Sequence, residues 1–398
     1  MKHSIFTYLI FISCSILFIT ACGGDPPPLE TTNNAQTPPT AKFNVDDLYT
    51  TNTEVSFDDN SDSGSASITS WQWNFEGGNP SSSNAQNPTV NFSTKGEYTV
   101  SLTVTTPDGT NTLDKEILVI EDCPLYSCEK FLVEKSSDLT YGTNANSHRM
   151  NIYKPLGDNR SSKPAILING GGNYNGSNLD LLDDLASQLA SYGYVVATAK
   201  YRNGIQNPTG SLLRGMVDSK AAIRYLRSQA TNYGINPNQI FAGGWSSGAY
   251  NALVHTYWQE SDLPTGMLTY IISQGWISSW EGSQGHQGYS SNVAGVINLA
   301  GAFYGTEEAF ENDLYITSSD KPMFSIIGEL DSETPCGKVE LSSSNWEFGP
   351  CIIQKRLQDV GLVAEMIVLQ GGTHESPRIK QNIDSYLPSL VEFINDNL

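Results

Sequence analysis

Gly244-Trp245-Ser246-Ser247-Gly248 follows the pattern G-x-S-x-G. Alone it is a weak signal in a chain with 35 Gly in 398 residues. Its surroundings strengthen it, because Ile240-Phe241-Ala242 reads as a strand before it and Ala249–Tyr257 as a helix after it. A sharp strand-to-helix turn exposes the hydroxyl of Ser246, small flanking residues let the turn close, and the helix N-terminus favours developing negative charge. A hydroxyl needs a base, and outside the first segment the histidines are His148, His255, His286 and His374. His374, in Gly371-Gly372-Thr373-His374, follows the last strand and is the expected base. His148 precedes an early strand, His255 lies inside the helix after Ser246, and His286, in a Gly/Ser-rich stretch, is the competitor. Asp331, in Gly328-Glu329-Leu330-Asp331 after the strand Met323–Ile327, is the expected carboxylate, with Glu329 and Glu333 as alternatives on the same loop. Asn169-Gly170-Gly171-Gly172 follows another strand. Backbone amides of Gly171 or Gly172, with that of Ser247, are expected to hold an oxyanion. No Lys-Ser/Thr pair follows these glycines, so a phosphate loop is disfavoured. The constellation suits acyl transfer with no metal and no cofactor.

These residues need a scaffold that brings distant loops together. Met150–Tyr153, Ala165–Ile168, Val195–Ala199, Ile240–Ala242, Val296–Leu299, Met323–Ile327 and Met366–Leu369 are short runs rich in Val, Ile and Leu. Most read as doubly buried strands of a largely parallel sheet. Helical stretches lie between them; one carries the stripe Ile223, Leu226, Ala230, Tyr233 and stops at Gly234. Residues 122–398 therefore read as one α/β domain with helices on both faces. Ser261–Asn292 is a Ser/Gly-rich insertion carrying Trp276 and Trp280, expected over the C-terminal edge of the sheet as a lid or as an anchored loop.

Upstream, residues 41–121 alternate with period two, as in Tyr98, Val100, Leu102, Val104 and in Trp71, Trp73, Phe75. Turn residues punctuate the strands, and a β-sandwich follows. Trp71 and Trp73 sit on an alternating strand, which favours core over a sugar platform. Residues 1–21 hold Lys2 and an apolar run, Ile5–Thr20, too short to span a bilayer, and read as a signal peptide. Ile19-Thr20-Ala21-Cys22 resembles a bacterial lipoprotein box, which implies a lipid on Cys22 and display at the cell envelope, outside the cytoplasm. Residues 22–40, with two proline clusters, read as a tether. Apart from Cys14 and Cys22, four cysteines remain, and Cys123–Cys128 and Cys336–Cys351 are the favoured local disulfides. Zinc is disfavoured, since no C-x2-C spacing occurs and no His adjoins either pair. The net charge of −20 argues against nucleic acid and disfavours polyanionic substrates.

Two resemblances follow. Trp71-Gln72-Trp73-Asn74-Phe75-Glu76-Gly77-Gly78 with Gly96-Glu97-Tyr98-Thr99-Val100-Ser101-Leu102 resembles the PKD-domain signature, an Ig-like sandwich, with Asn74-Phe75-Glu76-Gly77-Gly78 where the family usually has Asp-Phe-Gly-Asp-Gly. Residues 130–398 resemble α/β-hydrolase esterases of the carboxylesterase and feruloyl/acetyl-esterase group. The resemblance rests on Ala165–Gly172, Tyr192–Ala197, Lys200-Tyr201-Arg202, Asp218–Pro237 and the Ser246 turn, in the chain order Ser, Asp, His. One departure is that Asn169 and Asn173 stand where the family has His and an aromatic around the glycines. The resemblance implies a serine ester hydrolase acting on short acyl or feruloyl esters of polysaccharides. A serine peptidase of the same fold is disfavoured by the small N-terminal module, and a non-catalytic glycan-binding lipoprotein by the intact Ser, His and acid.

Overall fold

The computed structural model describes residues 36–398 except 47, 177, 307–314, 343 and 344. The signal segment and Cys22 lie outside the described residues. The N-terminal module is a sandwich of a five-stranded and a three-stranded sheet. Its strands are β1 (Tyr49–Thr50), β2 (Glu54–Ser56), β3 (Ser70–Phe75), β4 (Gly78–Asn79), β5 (Ser82–Ser83), β6 (Thr89–Phe92), β7 (Gly96–Thr106) and β8 (Gly109–Ile120). In the β3–β7 ladder Trp73 faces Leu102 and Phe75 faces Val100, and all four are buried with Phe43, Phe57 and Phe92. Period-two alternation thus turns one side of each strand into core. Trp73 is core; Trp71 is half-buried and its indole donates to Asp59. Thr40, expected in the tether, already bridges to Asp62 of the sandwich. The connection after β8 is closed by the Cys123–Cys128 disulfide.

The second module is built on an eight-stranded sheet. Its strands are β9 (Val133–Thr140), β10 (Arg149–Pro155), β11 (Lys163–Asn169), β12 (Val195–Ala199), β13 (Ile235–Trp245), β14 (Val296–Leu299), β16 (Met323–Gly328) and β19 (Ala364–Leu369). A separate three-stranded sheet holds β15 (Phe303–Gly305), β17 (Lys338–Ser342) and β18 (Asn345–Phe348). The large sheet runs β19-β16-β14-β13-β11-β12-β10-β9, parallel from β12 to β19, with β10 and β9 antiparallel at the other edge. β9 was not anticipated: its side chains are mostly exposed or half-buried, so it has no apolar run to betray it.

Every residue of β11 is buried, and its side chains alternate between two cores. Ala165 and Leu167 pack on one face with α2 (Pro208–Ser228) and α4 (Ser247–Tyr257). Ile166 and Ile168 pack on the other with α1 (Asp183–Ser191) and the C-terminal helix α7 (Lys380–Asp396). Doubly buried strands therefore read as continuous apolar runs. The remaining α-helices among the described residues are α3 (Ala230–Tyr233), α5 (Met267–Ser273) and α6 (Pro350–Asp359). Asn207 caps α2 by accepting from the Gly210 amide, with Pro208 at the first helical position. The helix expected to run to Tyr233 breaks after Ser228, and Gly234 closes α3 in the left-handed conformation.

Candidate active site

β13 ends at Trp245, and the chain turns through Ser246 at φ 54°, ψ −129° into α4. A serine there costs on the order of 1–3 kcal/mol and persists only where neighbours over-determine it. They do so here: the Ser246 amide donates to the Leu299 carbonyl, and the Ser246 carbonyl accepts from Ala249 and Tyr250. A Cβ at Gly248 would lie 2.0 Å from the Asn169 carbonyl oxygen, so no larger residue lets the start of α4 approach the end of β11.

Three loops converge on the half-buried Ser246 hydroxyl. His374 Nε2 lies 2.9 Å from Ser246 Oγ, and His374 Nδ1 lies 2.8 Å from Asp331 Oδ2. The other oxygen of Asp331 accepts from the amides of Glu333 (3.0 Å) and Thr334 (2.8 Å), and its side chain is wholly buried. Locked this way, the carboxylate can only take the Nδ1–H, leaving Nε2 as acceptor for the serine proton. Burial alone would lower the His374 pKa, but the hydrogen bond and charge of Asp331, with Glu333 and Glu375, raise it above its usual value. The loop's hydrogen bonds separate the three candidate acids. Glu329 turns the other way and accepts from the Gly371 amide, steadying the turn before His374. Glu333, 71% exposed, stands on the opposite side of the imidazole with a carboxylate oxygen 3.9 Å from Nε2.

The glycine turn faces the same point. A Cβ on Gly171 would sit 2.5 Å from the Trp245 ring and 2.8 Å from Ser246 Cβ, so the Gly171 backbone lies directly against the nucleophile. Among the described residues, no backbone acceptor takes the amides of Gly171, Gly172 or Ser247. Backbone amides without an internal acceptor at such a point can hold a developing oxyanion. Asn169 does not reach the site; it is buried, donating to the Ala199 carbonyl and accepting from Ser219, and so ties β11 to β12 and α2.

The other histidines are elsewhere. His148 is buried against Asp218, which also binds Arg202. His255 binds the Ser291 carbonyl, and burial lowers its pKa to about 3. His286 contacts Ser228 at the end of α2. The insertion departs from expectation: it straps the length of α2. Trp276 packs on Gly210, Trp280 lies under the Lys220 ammonium, and Arg227 donates to the Asn292 carbonyl. Trp280 thus partners the buried Lys220 ammonium, while Trp276 packs against the small Gly210 surface of the same helix.

Sequence reasoning missed Trp245, Glu347 and Tyr304. Trp245 Nε1 donates to the His374 carbonyl at 2.8 Å, its ring lies 5.1 Å from the imidazole, and the Arg378 guanidinium covers it at 5.0 Å. Glu347 accepts from the Tyr250 hydroxyl, and its pKa is raised by burial and, further, by the Asp331 charge. Tyr304, beside Tyr250, lines a cavity of about 460 Å³ with Leu212, Trp258, Met267 and Tyr315. Trp245 and Tyr304 read as ordinary core aromatics, and no local pattern marks Glu347. The Cys336–Cys351 disulfide closes the segment between Asp331 and α6. Among the described residues, no group of three or more His, Cys, Asp or Glu is arranged to hold a metal.

Sheet order, the Ser246 turn and the residues around it define an α/β-hydrolase preceded by a β-sandwich. Two family models match within the chain: residues 150–343 match BD-FAE and residues 36–120 match the PKD domain. The chain thus carries a BD-FAE-like α/β-hydrolase stretch preceded by a PKD-like sandwich. The isoprenylcysteine alpha-carbonyl methylesterase ICME of Arabidopsis thaliana is 26% identical over 245 residues, 57% of this chain and 53% of that protein. Gut esterase 1 of Caenorhabditis elegans is 34% identical over 111 residues, 25% of this chain and 19% of that protein. The chain thus spans about half, or less, of the curated relatives it matches. A butyrate-bound thermophilic esterase from Thermogutta terrifontis shares the fold, with 18% identity and a TM-score of 0.50 over 66% of this chain and 94% of that one.

Proposed function

We propose that this protein is a serine carboxylic-ester hydrolase in which Ser246, His374 and Asp331 act as a triad. The observation that carries the reading is the continuous chain from Ser246 Oγ through both imidazole nitrogens to a buried carboxylate. Ser246 Oγ attacks the ester carbonyl as His374 Nε2 takes its proton, and the amides of Gly171 or Gly172 and Ser247 stabilise the oxyanion. Collapse expels the alcohol, which leaves with the proton from Nε2. Water, deprotonated by the same nitrogen, then attacks the acyl-enzyme and releases the acid. The acyl groups are short or feruloyl and sit on polysaccharide, as the resemblance to the feruloyl- and acetyl-esterase group implies. Cleavage after Ala21 and lipid on Cys22 place the enzyme on a bacterial envelope outside the cytoplasm, with the PKD domain as a spacer. The test is hydrolysis of 4-nitrophenyl esters of increasing acyl length by residues 23–398, beside Ser246→Ala and His374→Ala. Activity in the parent alone, falling with acyl length, is expected. A folded parent that cleaves none of these esters refutes the proposal.

A further inference from the structure

Glu333 and Asp331 flank one imidazole from opposite sides. Asp331 takes Nδ1, while a Glu333 carboxylate oxygen stands 3.9 Å from Nε2. The Glu333 backbone is fixed, since its amide donates to Asp331 Oδ1 at 3.0 Å, and its side chain is 71% exposed. Among the described residues Glu333 makes no other ion pair.

In ester hydrolysis Nε2 returns its proton to the departing alcohol, so the alcohol portion of the substrate must pass beside Nε2. Glu333 therefore meets the alcohol side of the ester, whereas the glycine amides meet the acyl oxygen. From this juxtaposition we infer that Glu333 is a specificity-determining residue that selects esters of neutral or cationic alcohols and rejects those whose alcohol carries a carboxylate or sulfate. The inference rests on the ester-hydrolase reading and narrows its substrate class to neutral hydroxylated carriers, sugars among them, whose free hydroxyls can donate to the carboxylate. Two like charges at about 7 Å, in the screened mouth of a cleft, change a rate constant by about three- to fivefold.

The test is the ratio of kcat/KM for two matched esters, 3-acetoxybenzamide and 3-acetoxybenzoate, which differ in the charge on the alcohol portion. The wild-type chain is expected to favour the amide. Glu333→Gln should lower the amide-to-carboxylate ratio about fourfold, Glu333→Lys should lower it further, and raised salt should shrink the wild-type ratio. An unchanged ratio in both variants, with the esters still cleaved, overturns the charge filter and leaves the hydrolase intact. Cleavage of neither ester by the folded wild type defeats the hydrolase reading itself, and the filter with it.

Discussion

Replacing Trp245 by Phe separates holding the His374 imidazole, the proposed base, from filling the core. The phenyl ring keeps an apolar face between His374 and Arg378 but has no N–H for the His374 carbonyl, which now receives one at 2.8 Å. Leaving a buried carbonyl without its donor costs about 1–3 kcal/mol, and the smaller ring adds a packing loss of similar order. The His374 loop can relieve the first cost by shifting toward water, at the expense of the Ser246–His374 contact. If about 1.4–2.7 kcal/mol of the lost interaction had kept the imidazole in line, kcat falls ten- to a hundredfold. KM should change little, because Trp245 lies behind the histidine. The assay is steady-state hydrolysis of 4-nitrophenyl acetate, with urea unfolding run on the same samples. A variant that loses stability yet keeps its kcat would refute the reasoning, since Trp245 would then only pack.

Asp331→Asn should lower kcat by about 10³–10⁴ while the protein stays folded, because the amide no longer enforces the His374 tautomer; single-turnover kinetics would check it. Gly171→Ala puts a Cβ 2.5 Å from Trp245 and displaces the amides proposed to hold the oxyanion, so kcat should fall about 10²-fold or more in the same assay. His374 must be neutral to accept the serine proton, and its pKa is raised above 6.5. The acid limb of kcat/KM should therefore lie above pH 6.5 and move down in Glu333→Gln, which a pH–rate profile reads directly. The same raised pKa stabilises the fold below the unfolded-state value near 6.5, and that contribution is lost as pH rises through the folded-state value. Removing the Cys336–Cys351 bridge as a double serine variant frees a loop of sequence separation 15 and should cost about 3 kcal/mol in urea unfolding.

Much of this was legible in sequence because it is encoded locally. The strands at Ala165–Ile168 and Val195–Ala199 are apolar runs since both sheet faces are covered, and the Ser246 turn needs small neighbours within a few residues. The β3–β7 alternation named the sandwich core for the same reason. Chain order, too, singled out His374, because of His148, His255, His286 and His374 it alone directly follows a parallel strand at the edge where Ser246 sits.

Tertiary structure decided what depends on direction and partnership. Glu329, Asp331 and Glu333 alternate along five residues, and the sequence favoured Asp331 while leaving its two neighbours as alternatives. The hydrogen bonds from Glu329 N to Leu369 O and from Leu330 N to Gly372 O clamp that loop to the His374 loop, turning Asp331 inward and sending its neighbours to other tasks. Trp276 and Trp280 could have framed a substrate until α2 claimed them, because Gly210 and Lys220 meet them only in the folded chain. Trp245 and Glu347 carried no local mark, since their roles arise from His374 and Tyr250, which fold against them. Periodicity records which face of an element is buried; the group each side chain meets is settled only when the elements pack.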